Sequence, residues 1–223
     1  MLPALAPPTP ETLRFMSLLP PNARGLIEVG GGADGDLARH YKQVYAGCFY
    51  QGVESDARLA GLARRHCDVV HQADIEQAGD AFFAHFAMAD CWIFDQVLER
   101  LRQPWAVLRA IRQHIAPDAC IVARVPNGQY WSLQARLNGG TFHYQEGGQL
   151  PRAQLRHFSR STLLELLRDT GFRMSAGNPL NGAPPPPAVA EALRALALRA
   201  GADPEQALQD ALASHYLIKA VPV

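Results

Sequence analysis

Strand-like and helix-like stretches alternate along the chain from Gly25 to about Phe172, and this rhythm constrains the fold more than any other feature. The strand-like segments are GLIEV, CFYQGVE, CDVVHQAD, ADCWIFD and ACIVARVP, and helical patterns separate most of them. ADCWIFD is nearly all apolar, as expected for a strand buried on both faces. The βαβα order predicts an α/β fold, a mostly parallel sheet with helices on both faces. Right-handed crossovers then place the strand-to-helix loops at the carboxyl edge of the sheet.

The chain of 223 residues, 48% of them hydrophobic, is long enough for one core, so we expect a single domain over residues 1–223. Residues 1–23 are predicted to be an N-terminal extension. Residues 127–158 break the alternation with glycines and aromatics, and a loop of that length is usually a lid or an acceptor-binding insertion. Residues 179–214 are predicted to be a helical insertion before the last strand, HYLIKAV. The helix DARLAGLARRH is expected to begin near Ser55 as its N-cap.

Charge and cysteine content exclude several classes of partner. Lys plus Arg is 21 and Asp plus Glu is 21, so no net field would attract nucleic acid or an anionic membrane. We predict no membrane span and no signal peptide, since no apolar run approaches about 18 residues and MLPALAPPTP has no basic residue. The 4 cysteines form no C-x-x-C pair, so buried reduced thiols in a cytoplasmic protein are expected.

The segment GLIEVGGGADGDLARHY carries Gly30, Gly32 and Gly35 at the spacing G-x-G-x-x-G of a dinucleotide-binding loop. Such a loop offers backbone N–H groups and a helix N-terminus to a doubly charged pyrophosphate. Carboxylates oppose that ligand, and three surround this loop: Glu28, Asp34 and Asp36. The glycine spacing therefore conflicts with the charge around it.

Acidic residues also end the following strands. Glu54 ends the second strand, Asp74 the third and Asp95 the fourth, so all lie near one edge of a parallel sheet. This edge disfavours phosphate and favours a cationic ligand that carries a ribose and an adenine, because close opposite charges in a partly desolvated site contribute about 1 kcal/mol or more. S-adenosylmethionine has these properties.

Each strand end has a predicted role in binding that methyl donor. Glu54 would accept from the ribose hydroxyls and Asp74 from the adenine amino group, while the N–H of Ile75 would donate to a ring nitrogen. The glycines after Glu28 would let the backbone approach the methionine part, and Gly35 would be an accident of a small-residue loop. The predicted donor-binding residues are Glu28, Gly30, Gly31, Gly32, Glu54, Ser55, Asp74, Ile75, Asp95 and Gln96, and no metal is expected.

These motifs resemble those of the class I S-adenosylmethionine-dependent methyltransferases. LIEVGGG is similar to their first motif, GVES to the ribose-binding strand end and QADIEQ to the adenine-binding one. The segments from WIFDQVLERL to ARVPN and from YWSLQARLNGG to LRDTGFR resemble a bacterial subgroup associated with polysaccharide or O-antigen biosynthesis. The resemblance implies a Rossmann-like fold with a seven-stranded, mostly parallel sheet and an antiparallel last strand. It also implies a small-molecule or saccharide acceptor, and contacts for the acceptor or for a homodimer in the insertion before that strand.

The chain departs from the subgroup near the expected acceptor site. Members commonly carry glutamate, histidine and leucine where this chain has Glu99, Arg100 and Leu101. They commonly carry leucine, aspartate, arginine, threonine and histidine where this chain reads LPRAQ, ending at Gln154. Two histidines and an aspartate are therefore missing, which leaves open an altered acceptor or a lost activity.

Transfer to a hydroxyl acceptor is helped by a general base, by roughly 10²–10⁴-fold. The candidates are His157, His143 and Glu99. Each also has a purely structural interpretation: His157 as a surface histidine beside a helix cap, His143 as part of an aromatic loop, and Glu99 as a partner of Arg102. The predicted substrate-binding residues are Asn127, Tyr130, Trp131 and Arg156.

Three functions follow from these observations. The first is S-adenosylmethionine-dependent methyl transfer to a small-molecule or saccharide acceptor, with oxygen as the favoured acceptor atom. The second is a protein that binds S-adenosylmethionine or S-adenosylhomocysteine as a regulatory or interaction module without methylating. The third, a nicotinamide-dependent oxidoreductase, depends on the glycine spacing alone and lacks a Tyr-x-x-x-Lys pair, since Gln134 lies four residues after Tyr130.

Overall fold

The computed structural model describes residues 7–30, 35–144 and 150–223, and in these ranges seven strands form one sheet. The strands are β1 Gly25–Val29, β2 Phe49–Glu54, β3 Val69–Gln72, β4 Cys91–Asp95, β5 Cys120–Pro126, β6 Phe172–Asn181 and β7 Ala213–Pro222. Their order is β3-β2-β1-β4-β5-β7-β6. Strands β1 to β5 pair in parallel, and β7 is antiparallel to both of its neighbours. This confirms the predicted sheet with an antiparallel last strand.

Helices pack on both faces of the sheet. They are α1 Pro10–Leu18, α2 Asp36–Val44, α3 Ala57–Ala63, α4 Asp80–His85, α5 Pro104–His114, α6 Trp131–Asn138, α7 Arg160–Asp169, α8 Pro187–Arg199 and α9 Pro204–Leu212, with a 3₁₀ helix at Leu98–Arg100. Successive residues of β1 point to opposite faces. Ile27 packs with residues of α4, α5 and α7, and Leu26 packs with residues of α1 and α2. The central strands are apolar throughout because both of their faces are covered.

Helix ends follow local sequence signals. Pro104 begins α5, as predicted, where its missing N–H costs nothing. Ser159 caps α7 through a reciprocal pair of hydrogen bonds with Thr162. The predicted cap of α3 is wrong by one position, since the Asp56 side chain, not that of Ser55, accepts from the N–H of Leu59.

The two segments outside the alternation both contain helix. Helix α1 lies in the N-terminal extension, capped by Thr9, and it buries Phe15 and Leu18 against the sheet. Helix α6 lies in the insertion over residues 127–158. The ends of that insertion meet, because the N–H of Gly128 donates to the carbonyl of Phe158 at 2.8 Å.

The predicted insertion over residues 179–214 is shorter in the structure, because its first three residues belong to β6 and its last two to β7. The segment between these strands forms two helices that pack to different extents. Helix α9 buries Leu208 and Ala211, whereas Ala197 is the one buried residue of α8 among those described. Leu196 and Leu198 of α8 are exposed. Over the three described ranges, none of the helices combines the length and the apolar content that a membrane crossing requires.

Candidate active site

The turn after β1 requires glycine at two positions. Gly30 has φ +62°, and a Cβ there would lie 3.0 Å from Val97 Cγ2. Gly35 has φ +60°, and a Cβ there would lie 2.1 Å from the His66 ring. Gly35 is therefore not an accident of a small-residue loop: it turns the chain into α2 against a neighbouring side chain. Gly31, Gly32 and Asp34 lie outside the described residues.

A cavity of about 340 Å³ opens at the carboxyl ends of β1, β2 and β3. We call it the strand-end cavity. Its lining is Val29, Gly30, Val53, Glu54, Ser55, Leu59, Ala73, Asp74, Ile75, Glu76, Val97, Arg100, Leu101 and Arg102. Five predicted donor-binding residues, from Gly30 to Ile75, thus line one cavity, together with apolar side chains, a further carboxylate and two arginines.

The backbone fixes the two principal carboxylates of the strand-end cavity. The N–H of Asp56 donates to Glu54 Oε1 at 3.0 Å, and the N–H of Glu76 donates to Asp74 Oδ1 at 2.9 Å. Each carboxylate accepts from the residue two positions later, a local turn that orients the side chain without a distant partner.

A second cavity, of about 370 Å³, lies between α1, α2 and the ends of β1, β4 and β5. We call it the α1 cavity. Its lining is Thr9, Glu11, Thr12, Phe15, Glu28, Asp36, Leu37, Arg39, Asp95 and Arg124. Glu28 is 6% exposed and accepts from the hydroxyl of the buried Tyr50 at 2.9 Å. The α1 cavity therefore carries charges of both signs, whereas the sequence indicated an acidic site.

Two positive charges that the sequence did not assign to the site line the α1 cavity, Arg39 on α2 and Arg124 on β5. Arg124 has the closer ion pairs. Its Nε donates to Asp95 Oδ1 at 2.6 Å and its Nη2 to Asp95 Oδ2 at 3.0 Å, while Nη1 donates to Glu11 Oε2 at 2.6 Å. Burial acts to lower the pKa of Arg124, but these two carboxylates hold it above its ordinary value. The predicted donor-binding residue Asp95 lines the α1 cavity and is paired there with a cation. An arginine inside the apolar run ACIVARVP was the available signal.

A third cavity, of about 30 Å³, adjoins the end of β5. We call it the Glu99 cavity. Its lining is Gln96, Glu99, Pro126, Asn127, Tyr130, Leu133, Pro151, Gln154, Ser214 and His215. Glu99 is 2% exposed, and burial raises its pKa to about 7. Its Oε2 atom and the Oε1 atom of Gln154 are buried without a hydrogen-bond partner.

Main-chain hydrogen bonds hold Gln154 beside Glu99. The Glu99 carbonyl accepts from the N–H groups of Leu155 and Arg156, at 2.9 and 3.0 Å. The Gln154 Nε2 group donates to the Arg156 carbonyl at 3.0 Å and lies 3.1 Å from His157 Nδ1. Because Nε2 donates to these two acceptors, Oε1 is the atom of the Gln154 amide that can accept a hydrogen bond from a bound molecule. Gln154 therefore shares the cavity of Glu99.

A sequence profile for a methyltransferase domain matches residues 7–176. The chain belongs to this family of methyltransferase domains. No curated protein matches it in sequence.

Solved structures of methyltransferases share the fold of the domain at low sequence identity. A SAM-dependent methyltransferase from Archaeoglobus fulgidus has a TM-score of 0.64 and 14% identity, and the match covers 95% of this chain and 91% of that one. The mitomycin 7-O-methyltransferase MmcR has a TM-score of 0.58 and 14% identity, covering 96% of this chain. The O-methyltransferase NcsB1, solved with S-adenosylmethionine and 2-hydroxy-5-methyl naphthoic acid, has a TM-score of 0.55, 12% identity and 90% coverage.

The chain spans about half the length of some of these proteins, since the match covers 53% of MmcR and 49% of NcsB1. At identities of this level the similarity establishes the fold, a class I methyltransferase fold. The acceptor must be inferred from the side chains of this chain.

The side chain of Asn127 makes three hydrogen bonds to the protein's own backbone. Its Nδ2 donates to the carbonyls of Asp210 and Ala213, at 2.7 and 2.8 Å, and its Oδ1 accepts from the N–H of Gln129 at 2.9 Å. It lines the Glu99 cavity with Tyr130, while Trp131 turns away and donates from Nε1 to the Ala183 carbonyl at 2.7 Å. The substrate roles of these residues stay predictions.

The remaining predicted residues lie in different places. Arg156 and His157 line another cavity, beside α7, and the Arg156 guanidinium lies 5.1 Å from the centre of the Trp105 ring. His143 is exposed and lies outside the cavities defined above. Gln96, with φ +55°, lines the Glu99 cavity and neither of the other two.

The predicted pairing of Glu99 with Arg102 is wrong. Arg102 Nε lies 3.8 Å from Glu76 Oε2, and Glu99 points into its own cavity. In the described part of the chain, no group of three His, Cys, Asp or Glu side chains has a geometry suited to a metal ion.

Proposed function

We propose that this methyltransferase domain transfers a methyl group from S-adenosylmethionine to a hydroxyl of a small-molecule or saccharide acceptor. The observation that carries the proposal is the pair of cavities at the end of β1. The strand-end cavity is lined mainly by apolar side chains, with three carboxylates and two arginines, whereas the α1 cavity is lined mainly by polar and charged side chains of both signs. S-adenosylmethionine is a nucleoside joined to an amino acid, and its two halves differ in polarity in the same way as the two cavities.

The strand-end cavity suits the adenosine half of the donor. Val53, Leu59 and Val97 offer apolar surface to a flat base, while Glu54 and Asp74 offer oriented carboxylate oxygens. Carboxylates accept from ribose hydroxyls and from an adenine amino group. The lining holds three carboxylates against two arginines, one of which, Arg102, lies 3.8 Å from Glu76, and this net negative charge disfavours the phosphates of a nicotinamide dinucleotide. This charge pattern favours the methyl donor over NAD.

The α1 cavity suits the amino-acid half. An α-amino acid presents an ammonium and a carboxylate a few ångströms apart, and this cavity holds both carboxylates and guanidinium groups. When bound, S-adenosylmethionine supplies an electrophilic methyl group that needs no further activation by the protein. The protein then contributes chiefly by positioning the reactants and excluding water.

The acceptor side of the proposal uses Glu99. Its unpartnered Oε2 accepts the proton that the acceptor hydroxyl loses, and a pKa of about 7 suits that task at neutral pH. Gln154 Oε1 accepts a second hydrogen bond from the acceptor, and His157 positions the Gln154 amide from the other side. His143, which lies exposed within the 127–158 insertion, is the remaining candidate for contact with a larger acceptor.

The class of acceptor is supported by resemblance. Two of the solved structures are named as O-methyltransferases, and the sequence resembles a subgroup associated with polysaccharide biosynthesis. A cavity of about 30 Å³ holds little more than one hydroxyl group or one water molecule. The acceptor therefore inserts a single polar group beside Glu99, while the rest of it contacts the 127–158 insertion.

The proposal is tested by thermal melts with S-adenosylmethionine, S-adenosylhomocysteine, NAD and NADP. A ligand at about 100 times its dissociation constant adds roughly 2.7 kcal/mol, several degrees in melting temperature for a domain of this size. We expect the shift with the two sulfur ligands only, reduced in Glu54→Gln and retained in Glu205→Gln, an exposed control on α9. A shift with NAD alone would overturn the proposal.

The second candidate, a donor-binding protein without turnover, is favoured by Gln154 in place of a titratable histidine and by the small Glu99 cavity. Incubating the protein with S-adenosylmethionine and a panel of sugars, phenols and cell-extract small molecules separates the two functions. Accumulation of S-adenosylhomocysteine supports the enzyme. Binding without any accumulation supports the regulatory or interaction module.

A further inference from the structure

Helix α1 places a carboxylate inside the α1 cavity. Glu11 Oε2 lies 2.6 Å from Arg124 Nη1, and the Glu11 side chain is 66% exposed whereas that of Arg124 is 17% exposed. The same helix also contributes Thr12, whose hydroxyl donates to Asp36 at the start of α2. The wall of the α1 cavity is thus closed by polar contacts from a helix outside the sheet.

The two carboxylates on Arg124 differ in how firmly they are held. Asp95 pairs with Arg124 across adjacent strands in register and takes two of its N–H groups. Glu11 takes one N–H and reaches it from an exposed position on α1. Exposed ion pairs contribute little to stability. The Asp95 pair therefore positions the guanidinium, and the Glu11 pair can be exchanged for another carboxylate.

A second arginine in the α1 cavity has a hydrogen-bond donor without an acceptor. The Nε of Arg39 is buried and has no hydrogen-bond partner. The Nη2 of the same guanidinium lies 4.0 Å from Asp36 Oδ1, which is too far for a hydrogen bond. Buried N–H groups in folded proteins are almost always paired. Arg39 and Arg124 both line this cavity, so an acceptor oxygen bound there would satisfy the Arg39 group.

We propose that Arg124 and Arg39 bind the α-carboxylate of the methyl donor and that Glu11 occupies the place of this carboxylate on Arg124 in the structure. The inference rests on the proposed function and assigns its amino-acid end. A carboxylate fits better than a phosphate, since Glu28, Asp36 and Asp95 also face the cavity and tolerate one negative charge beside an ammonium. Donor binding then releases Glu11 and loosens α1 from β5.

Calorimetric titration with S-adenosylmethionine and with its decarboxylated form tests this assignment, because the two ligands differ by the carboxylate alone. A charge-assisted hydrogen bond corresponds to about 10- to 100-fold in affinity, so Arg124→Lys and Arg39→Gln should weaken S-adenosylmethionine by that factor and leave the decarboxylated ligand within about twofold. Arg194→Gln, which removes one arginine from an exposed pair with Glu205, serves as the control.

Glu11→Gln keeps the test decisive if an arginine variant fails to fold, because Glu11 is exposed. It removes the competing carboxylate, and we expect S-adenosylmethionine to bind about two- to fivefold more tightly with no change for the decarboxylated ligand. Equal effects of the variants on both ligands would overturn the inference and leave the proposed function standing. Failure of the wild-type protein to bind either ligand would overturn both.

Discussion

The carboxyl group of Glu99 is buried in the protein interior, which destabilises its charged form. It is 2% exposed, its Oε2 has no hydrogen-bond partner, and burial raises its pKa from 4.5 to about 7. In the unfolded chain the group loses its proton near its ordinary pKa. The folded protein therefore holds one more proton than the unfolded chain between these two pH values, and its stability falls as the pH rises through that window.

Glu99→Gln tests this pH dependence. Above pH 7 the buried charge costs about 3 kcal/mol in the wild type, so the variant should be more stable at pH 8 by about 1–3 kcal/mol and lose the slope between pH 4.5 and 7. Denaturant melts across pH measure both effects, with the exposed Glu191→Gln as control. The same variant should lower methyl transfer by about 10²–10⁴-fold. An unchanged slope would exclude the raised pKa.

Asn127 illustrates a residue whose structural role is established by its contacts. Asn127→Ala leaves the carbonyls of Asp210 and Ala213 without their donor, at a cost of about 2–4 kcal/mol. Urea unfolding should show this loss of stability. The affinity of the folded protein for S-adenosylmethionine should not change. A stable Asn127→Ala protein with impaired acceptor turnover would instead support the substrate role predicted from the sequence.

At the scale of elements, the two helices between β6 and β7 have different structural roles. Helix α9 buries Leu208 and supports the segment that Asn127 holds, whereas α8 packs chiefly on α9 and leaves Leu196 and Leu198 exposed. The homodimer implied by the resemblance would use the exposed side of α8. That role stays a prediction.

A pair of leucine variants separates these roles. Leu208→Ala should cost about 2–4 kcal/mol through lost burial and a residual cavity. Leu198→Ala, at a side chain 67% exposed, should change the free energy of unfolding by less than about 0.5 kcal/mol. Denaturant unfolding at two protein concentrations measures both. If Leu198→Ala is costly and its effect depends on concentration, α8 lies in an interface between copies.

At the scale of the whole molecule, the sheet separates two apolar clusters and encloses the thiols. Cys48, Cys91 and Cys120 are buried, Cys67 is partly exposed, and all are free. Burial raises the pKa of Cys48 to about 11 and that of Cys67 to about 12. The hydrogen bond with Cys91 lowers the pKa of Cys120, but that thiol is buried. Because the thiolate is the reactive form and must also be accessible, the folded protein should resist thiol reagents.

Thiol labelling therefore reports global unfolding. At pH 8 without denaturant we expect negligible reaction over minutes with a charged disulfide reagent, and all 4 cysteines should react once the protein unfolds. The labelling rate against urea should follow the unfolding curve, and a donor ligand should slow it. Fast native reaction of one thiol would identify a local opening, and Cys67→Ser would show whether it is the partly exposed one.

Residues and their order in the chain determined the fold class, and they predicted which acidic residues end neighbouring strands at one edge of the sheet. Alternating strand and helix periods are local, so they predicted the parallel sheet. In such a sheet all strand ends meet at one edge, so Glu54 and Asp74 were expected in one place. The helical state of α1 and α6 was missed because short helices have weak periodic signals and depend on packing.

The tertiary structure alone decided the charge partners and the side chains that share the Glu99 cavity. Glu11 and Arg124 are 113 positions apart, and Glu99 lies beside Gln154 through main-chain bonds between distant segments. Such pairs depend on strand register and helix placement, which no local pattern encodes. The sequence therefore predicted an acidic strand-end site, and only the packing of α1 and β5 against it produced the mixed charge of the α1 cavity.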